Sequence, residues 1–90
     1  MNKRELIDAV AATSGAPRKD AAAIVDAVVK VITASLVRRE PVTISGFGTF
    51  ETREVGARTA RNPGTGEPVA VPAHHRAAFR PGGVLKETVA

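Results

Sequence analysis

The most constraining feature of this sequence is the width of the apolar pattern in its longest helical segment. Residues 18 to about 39 follow Pro17, which is tolerated in the first turn of a helix, and are predicted to be helical. The apolar stripe exceeds the ~100° that a one-sided surface helix needs; it comprises Ala21, Ile24, Val25, Val28, Val29, Val31, Ile32 and Leu36. A chain of 90 residues offers little else to cover two sides of a helix, so a second copy is the simplest partner.

The supply of large apolar side chains points to the same conclusion. Of the 39 apolar residues, 16 are alanine, and only 12 Val, 4 Ile, 3 Leu, 3 Phe and 1 Met remain. A chain of this size buries only ~60% of the surface of its unfolded state. The sequence has no cysteine and no convincing set of metal ligands, so it predicts neither metal nor cofactor and favours a homo-oligomer. The absence of cysteine also fits a reducing cytoplasm.

Membrane, secretory and enzymatic functions are not expected. No run approaches the ~20 apolar residues of a membrane span, and the amphipathic N-terminal segment carries Asp8, unlike a signal peptide. His74 and His75 are adjacent, so on a strand they point to opposite faces and cannot share a metal or a proton. No acidic pair has a spacing suited to acid–base catalysis. We therefore expect no enzyme activity and no small-molecule substrate.

Local signals predict an α+β order of elements. Asn2 with Glu5 indicates the start of a first helix, and Gly15 its end. After Pro41 the apolar residues alternate as in strands, and Gly46-Phe47-Gly48 predicts a tight turn that places Phe47 and Phe50 in the core. A further strand is predicted at 75–79 and a short helix at 84–89.

Positive charge is concentrated in residues 53–80, which have five arginines, two glutamates and few large apolar residues. Their centre, residues 62–66, has the sequence Asn-Pro-Gly-Thr-Gly and predicts a turn. We therefore expect a basic two-stranded hairpin with little to pack against; strands of about nine residues would extend roughly 30 Å. Its charge fits either a solvated loop or a limb that binds a polyanion.

Two further features of the sequence, one in this hairpin and one that extends beyond it, allow two interpretations each. Pro63 serves either as a turn residue with a fixed φ or as an apolar wedge of the kind that some proteins insert between base steps. Every basic residue between Lys30 and Lys86 is arginine. Arginine suits a narrow minor groove, but a general bias of composition towards arginine and alanine accounts for the pattern equally well.

Three motifs together closely resemble the HU and integration host factor family of bacterial DNA-architectural proteins. They are Ser45-Gly46-Phe47-Gly48-Thr49-Phe50, Arg58-Thr59-Ala60-Arg61-Asn62-Pro63-Gly64-Thr65-Gly66 and Phe79-Arg80-Pro81-Gly82. The resemblance extends without a gap from Met1 to Lys86, and it is closest to HU. The chain departs from the family at Val55 and Gly83, which are often basic there, and at Glu67, where many members have lysine.

The resemblance implies an intertwined homodimer with an N-terminal helical pair, a three-stranded antiparallel sheet extended into a β-ribbon arm, and a short C-terminal helix. The expected parts of one HU-like domain, 1–90, are a helical dimerisation part at 1–40, a sheet at 41–53 and 75–81, an arm at 54–74 and a helix at 82–90. Residues expected in the dimer core are Val28, Ile32, Leu36, Ile44, Phe47, Phe50 and Phe79. Residues expected to bind DNA are Arg53, Arg58, Arg61, Asn62, Pro63, Arg76, Arg80 and Lys86, with Pro63 intercalating.

The resulting hypothesis is a histone-like protein that binds and bends double-stranded DNA with little sequence specificity, compacting and protecting the bacterial nucleoid in the cytoplasm. No Asn, Gln or Lys lines the arm apart from Asn62, so the chain has little that could read base edges, and DNA that is already bent, nicked or gapped should bind better. Two alternatives remain. One is a site-specific bending factor resembling integration host factor, and the other is a basic dimer that binds RNA or serves as a scaffold.

Overall fold

The computed structural model describes residues 1–90, and its elements confirm the predicted α+β content. Residues 1–34 and 35–90 form two compact units, which are described separately below. The elements in chain order are α1 (Lys3–Ser14), α2 (Arg18–Val37), β1 (Val42–Ile44), β2 (Gly48–Val55), β3 (Arg58–Arg61), β4 (Pro68–Val71), β5 (His74–Pro81) and α3 (Gly83–Val89). None of the three helices has the length and apolar character needed to cross a bilayer.

The ends of α1 form where the sequence predicted them. The side-chain oxygen of Asn2 accepts a hydrogen bond of 2.9 Å from the backbone N–H of Glu5, which satisfies one of the free donors at the helix start. Gly15 adopts the left-handed conformation at φ 74° and donates its N–H to the carbonyl of Ala11. These local bonds explain why α1 begins and ends within a residue of its sequence signals.

Two exposed ion pairs connect α1 with the first half of α2. Lys3 lies 2.5 Å from a carboxylate oxygen of Asp26, and Arg18 lies 2.6 Å from Asp8. The hydrogen bond and positive charge of Lys3, with a smaller effect of Lys30, hold the pKa of Asp26 below its ordinary value of 3.8, against a small opposing effect of burial. The carboxylate of Asp26 is therefore ionised at neutral pH.

The second helix ends earlier than predicted, at Val37 instead of about Arg39. Arg39 has a left-handed backbone at φ 61°, and its guanidinium donates to the carbonyls of Leu36 and Val37 at 3.2 and 3.4 Å. Glu40, which precedes Pro41, is also biased away from helical geometry. The two residues after Val37 thus form a turn that closes the helix.

The three-stranded sheet has the order β1-β2-β5, with antiparallel pairing throughout. Successive side chains on a strand point to opposite faces. One face therefore presents Val42, Ile44, Phe50 and Phe79 and is called the apolar face. Phe47, in the turn between β1 and β2, lies with its ring centroid 5.2 Å from that of Phe79 and 6.5 Å from that of Phe50. The rings of Phe50 and Phe79 are 4.9 Å apart, so the three aromatic residues form one cluster.

The single chain buries very little of its apolar surface. Ile7 and Ala21 are its only buried apolar residues. Among the residues expected in the dimer core, Val28, Ile44, Phe47 and Phe79 are exposed by 38–49%; Ile32, Leu36 and Phe50 are half-buried. A stable fold requires most of such side chains to leave water. The chain alone does not provide the cover for them.

The hairpin differs from the expected pair of continuous nine-residue strands. The ribbon β3–β4 has four paired residues on each strand and forms a separate two-stranded sheet. Residues 56–57 and 72–73 interrupt pairing on both strands at the same level, and Pro72 has no N–H to donate to a ladder. The three-stranded sheet is also longer than predicted, because Glu54 and Val55 pair with His75 and His74. The structural arm therefore comprises residues 56–73.

Gly48 tests how closely β2 and β5 are packed. A Cβ at this position would lie 2.6 Å from the carbonyl oxygen of Arg80 and 2.6 Å from the ring of Phe79. We expect Gly48→Ala to lower the free energy of unfolding by about 1–3 kcal/mol, because backbone atoms must move. Gly56→Ala is the matched control, since its Cβ would meet nothing within 4 Å. Equal midpoints of chemical denaturation for the two variants would contradict this packing.

Candidate nucleic-acid interface

The face of the β2–β5 pair opposite the aromatic cluster is polar and mainly basic. We call it the cationic face; it consists of Thr49, Glu51, Arg53 and Val55 on β2 and His74, Arg76, Ala78 and Arg80 on β5. Its three arginines are all exposed. The strand period of two thus separates the residues expected to bind DNA from the residues expected in the core.

The register places two of these arginines directly opposite each other. Arg53 pairs with Arg76, whereas Arg80 pairs with Thr49. Directly opposed side chains have Cβ atoms about 4.5–5.5 Å apart, and like charges in this arrangement repel. No carboxylate lies within ion-pair distance of Arg76. An anion at the cationic face would relieve this repulsion, as a phosphate group can.

Glu51 is the one acidic residue on this face. One of its carboxylate oxygens, Oε1, lies 3.7 Å from Nη2 of Arg53 and 3.9 Å from Nε of Arg80. Glu51 is not among the residues predicted from the sequence. Glu51 and Arg53 are two residues apart on a predicted strand, and this spacing places both side chains on one face of the sheet.

Arg58 and Arg61 occupy the arm, on opposite faces of the ribbon. Arg58 pairs with Val71 and Arg61 with Pro68, and their separation of three residues reverses the side-chain direction. Both arginines are exposed, and neither forms an ion pair. The arm therefore carries one arginine towards each side.

The tip of the arm is closed by Asn62. Its side-chain oxygen accepts a hydrogen bond of 2.9 Å from the N–H of Gly64, its backbone N–H donates to the carbonyl of Glu67 at 2.9 Å, and its carbonyl accepts from Gly66 at 2.7 Å. Gly66 has φ 73°, a conformation that glycine adopts without strain. Pro63 is exposed between these bonds. It therefore belongs to a turn, and its apolar ring is also free at the end of the arm.

The structure brings together some of the predicted DNA-binding residues and separates others. Arg53, Arg76 and Arg80 share the cationic face, while Arg58, Arg61, Asn62 and Pro63 share the arm. Lys86 lies apart, in the last turn of α3. The start of α3 is fixed by the N–H of Gly82, which donates to the carbonyl of Phe47 at 2.9 Å.

These features define a class of protein: an α+β chain with a cationic sheet and a projecting arginine-bearing β-ribbon, which is suited to a polyanion. The family model described as bacterial DNA-binding protein matches residues 1–90. The chain is 53% identical to DNA-binding protein HU of Geobacillus stearothermophilus over 89 residues, or 99% of each chain. It is 48% identical to DNA-binding protein HU 1 of Bacillus subtilis, over 100% of this chain and 98% of that one.

A solved structure of an HU–DNA cocrystal from Anabaena is similar over the whole chain. The TM-score is 0.95 at 42% sequence identity, with 100% of this chain and 98% of the other covered. The chain belongs to the bacterial DNA-binding protein family of HU and integration host factor, as its motifs indicated.

The hydrogen bond of Asn62 at the tip gives a direct test of the turn. Replacing Asn62 with Ala removes the acceptor for the Gly64 N–H, so this amide should exchange with solvent at least about threefold faster. Asn62→Asp keeps an oxygen in the same place and should retain protection. Hydrogen exchange followed by NMR measures both variants. Equal exchange in the parent and Asn62→Ala would show that the side chain does not close the turn.

Proposed function

We propose that this chain is a non-enzymatic, histone-like architectural protein that binds and bends double-stranded DNA with little sequence specificity. The observation that carries the proposal is a ribbon with an exposed proline tip, Pro63, projecting from a sheet whose one face is cationic. Membership of a DNA-binding family supports DNA as the polyanion. The activity would compact and protect the bacterial nucleoid in the cytoplasm, and it requires no cofactor and no small-molecule substrate.

The active species in this proposal is an intertwined homodimer. The apolar face of the sheet and the side of α2 that carries Val28 provide the surface that a second copy covers. Complete burial of a large apolar side chain contributes roughly 1.5–3 kcal/mol relative to its exposed state. Val28, Ile44, Phe47 and Phe79 are 38–49% exposed in the single chain, so each would gain part of this amount. Two copies give the complex two arms and two cationic faces.

The arms would lie in the minor groove. Since Arg58 and Arg61 point to opposite faces of the ribbon, one arginine can reach the phosphates on each side of the groove. Pro63 at the tip would enter between base pairs and partly unstack them, which costs a few kcal/mol at each step. Contacts between phosphates and the body of the protein would offset this cost.

The body would hold the DNA through Arg53, Arg76, Arg80 and Lys86. These contacts involve phosphates and therefore carry no sequence information. In the minor groove Arg58 and Arg61 meet a base-edge pattern that is largely degenerate, and Asn62 is the one amide side chain of the arm, so the energy of deforming the duplex decides where the protein binds. A nick or gap already lowers that energy.

Binding to three forms of one duplex tests the proposal. We expect a duplex of ~35 base pairs with a nick or a gap to bind at least about tenfold more tightly than the intact duplex. The logarithm of the affinity should fall linearly with the logarithm of the salt concentration. Gel-shift titration across a salt series measures both. Equal affinity for all three forms would contradict bending, and no binding at low salt would contradict DNA binding.

Matched arginine variants assign the contact in the same titration. Arg76→Gln should weaken binding to all sequences and reduce the salt slope by about 1, because one phosphate contact is lost. Arg38→Gln makes the same change of charge at a residue paired with Glu40, and should have little effect.

A DNase footprint restricted to one sequence would instead support a site-specific bending factor. Tighter binding of structured RNA than of nicked DNA would support the RNA-binding alternative.

A substitution in α2 tests the dimer. Val28 is 49% exposed in the single chain, so Val28→Asp should disrupt the interface by placing a charge in it. Val37, exposed by 71%, lies on the opposite side of the same helix, and Val37→Asp should stay dimeric. Sedimentation velocity measures the mass of each variant. If Val28→Asp does not fold, the melting temperature of the parent protein tests the dimer instead. For a dimer this temperature must rise with protein concentration. A monomeric parent at micromolar concentration would refute the dimer.

A further inference from the structure

The cationic face contains a feature that weakens it as a surface for phosphate. Glu51 places one carboxylate oxygen between the guanidinium groups of Arg53 and Arg80, at 3.7 and 3.9 Å. Only 25% of the Glu51 side chain is exposed, against 55% for Arg53 and 64% for Arg80. The acid therefore lies deeper than the two arginines, on the same face of the sheet.

We propose that Glu51 is a built-in competitor of DNA phosphate, which occupies Arg53 and Arg80 in the free protein and lowers both the affinity and the salt dependence of DNA binding. The inference rests on the proposed function, since it concerns the same surface. It assigns a role to an acidic residue where only basic contacts were expected.

The two ion pairs are of a kind that can open. Their distances exceed those of a charge-assisted hydrogen bond, about 2.7–2.9 Å, so neither guanidinium group is held rigidly against the carboxylate. Because the side chains of Arg53 and Arg80 are more exposed than that of Glu51, their guanidinium groups can rotate towards a phosphate while Glu51 stays in place. The exchange replaces a contact of arginine with carboxylate by a contact of arginine with phosphate.

This exchange changes the number of ions released on binding. An arginine that is free in solution displaces a cation from DNA when it contacts a phosphate. When Arg53 and Arg80 leave Glu51, its carboxylate becomes available to a cation from the solution, which cancels part of that release. Arg76 has no carboxylate within ion-pair distance, so no nearby negative charge offsets its positive charge in the free protein. The cationic face therefore binds DNA with a smaller ionic contribution than its three arginines would give.

Glu51→Gln and Glu54→Gln form a matched pair of variants. Both remove one negative charge from β2, but Glu54 faces the other side of the sheet, opposite His75. The probe is an intact duplex of ~35 base pairs, titrated in a gel shift across a salt series. Glu51→Gln should bind about three- to tenfold more tightly at 0.1 M salt and steepen the logarithmic salt slope by up to ~0.9. Glu54→Gln should show only the smaller change due to net charge.

Each other outcome overturns the proposal. Equal effects of the two variants would show that only net charge matters, and weaker binding by Glu51→Gln would show that Glu51 positions the arginines for DNA. The gain should also disappear when Glu51→Gln is combined with Arg53→Gln and Arg80→Gln; a gain that persists would contradict competition for these two residues. Thermal melting of every variant verifies folding. If the parent protein itself does not bind DNA, the proposed function fails, whereas a binding parent with an unchanged Glu51→Gln slope removes this inference alone.

Discussion

The structure depends on the ladder of eight residue pairs between β2 and β5. This pairing sets one register for two faces of opposite character, with the rings of Phe50 and Phe79 on one and Arg53 and Arg76 on the other. A slip of one residue in β2 or β5 would move the aromatic residue of that strand to the face that is proposed to bind phosphate. Gly48 adds to this constraint, because the strands approach too closely there for a side chain. The same ladder also extends to His74 and thereby supports the root of the arm.

Each of the two faces of this sheet leaves side chains of the single chain without a partner. The apolar face leaves Ile44, Phe47 and Phe79 exposed by 38–41%, which a second copy would cover. The cationic face opposes two arginines, which an anion would relieve. The ribbon is a two-stranded sheet with no layer beneath it, a structure of marginal stability in water. In this account the partner chain and the DNA both complete a fold that the sequence builds only in part.

The features predicted from the sequence are those set by local bonds. The cap at Asn2, the left-handed Gly15 and the turn at residues 62–66 each rest on contacts within five residues, so their residue types suffice. The opposition of Arg53 and Arg76 and the proposed role of Glu51 depend on the register between β2 and β5, whose paired residues are at least 19 positions apart in sequence, and no local signal sets it. The break in strand pairing within the arm was not predicted, because the expected strand continued through Pro72, which has no backbone N–H to pair. That Arg58 and Arg61 face opposite sides follows from the strand period alone and was overlooked.

The most direct test of this account is the end-to-end distance of a duplex during titration with the protein. A nicked duplex of ~35 base pairs with a fluorescent donor and acceptor at its two ends reports bending as energy transfer, and the titration break point gives the number of chains bound. We expect a rise in energy transfer that saturates at two chains per duplex, and a smaller rise for Pro63→Ala at full occupancy. Saturated binding with no change in transfer would show that the protein coats DNA without bending it. Saturation at one chain per duplex would contradict the proposed dimer.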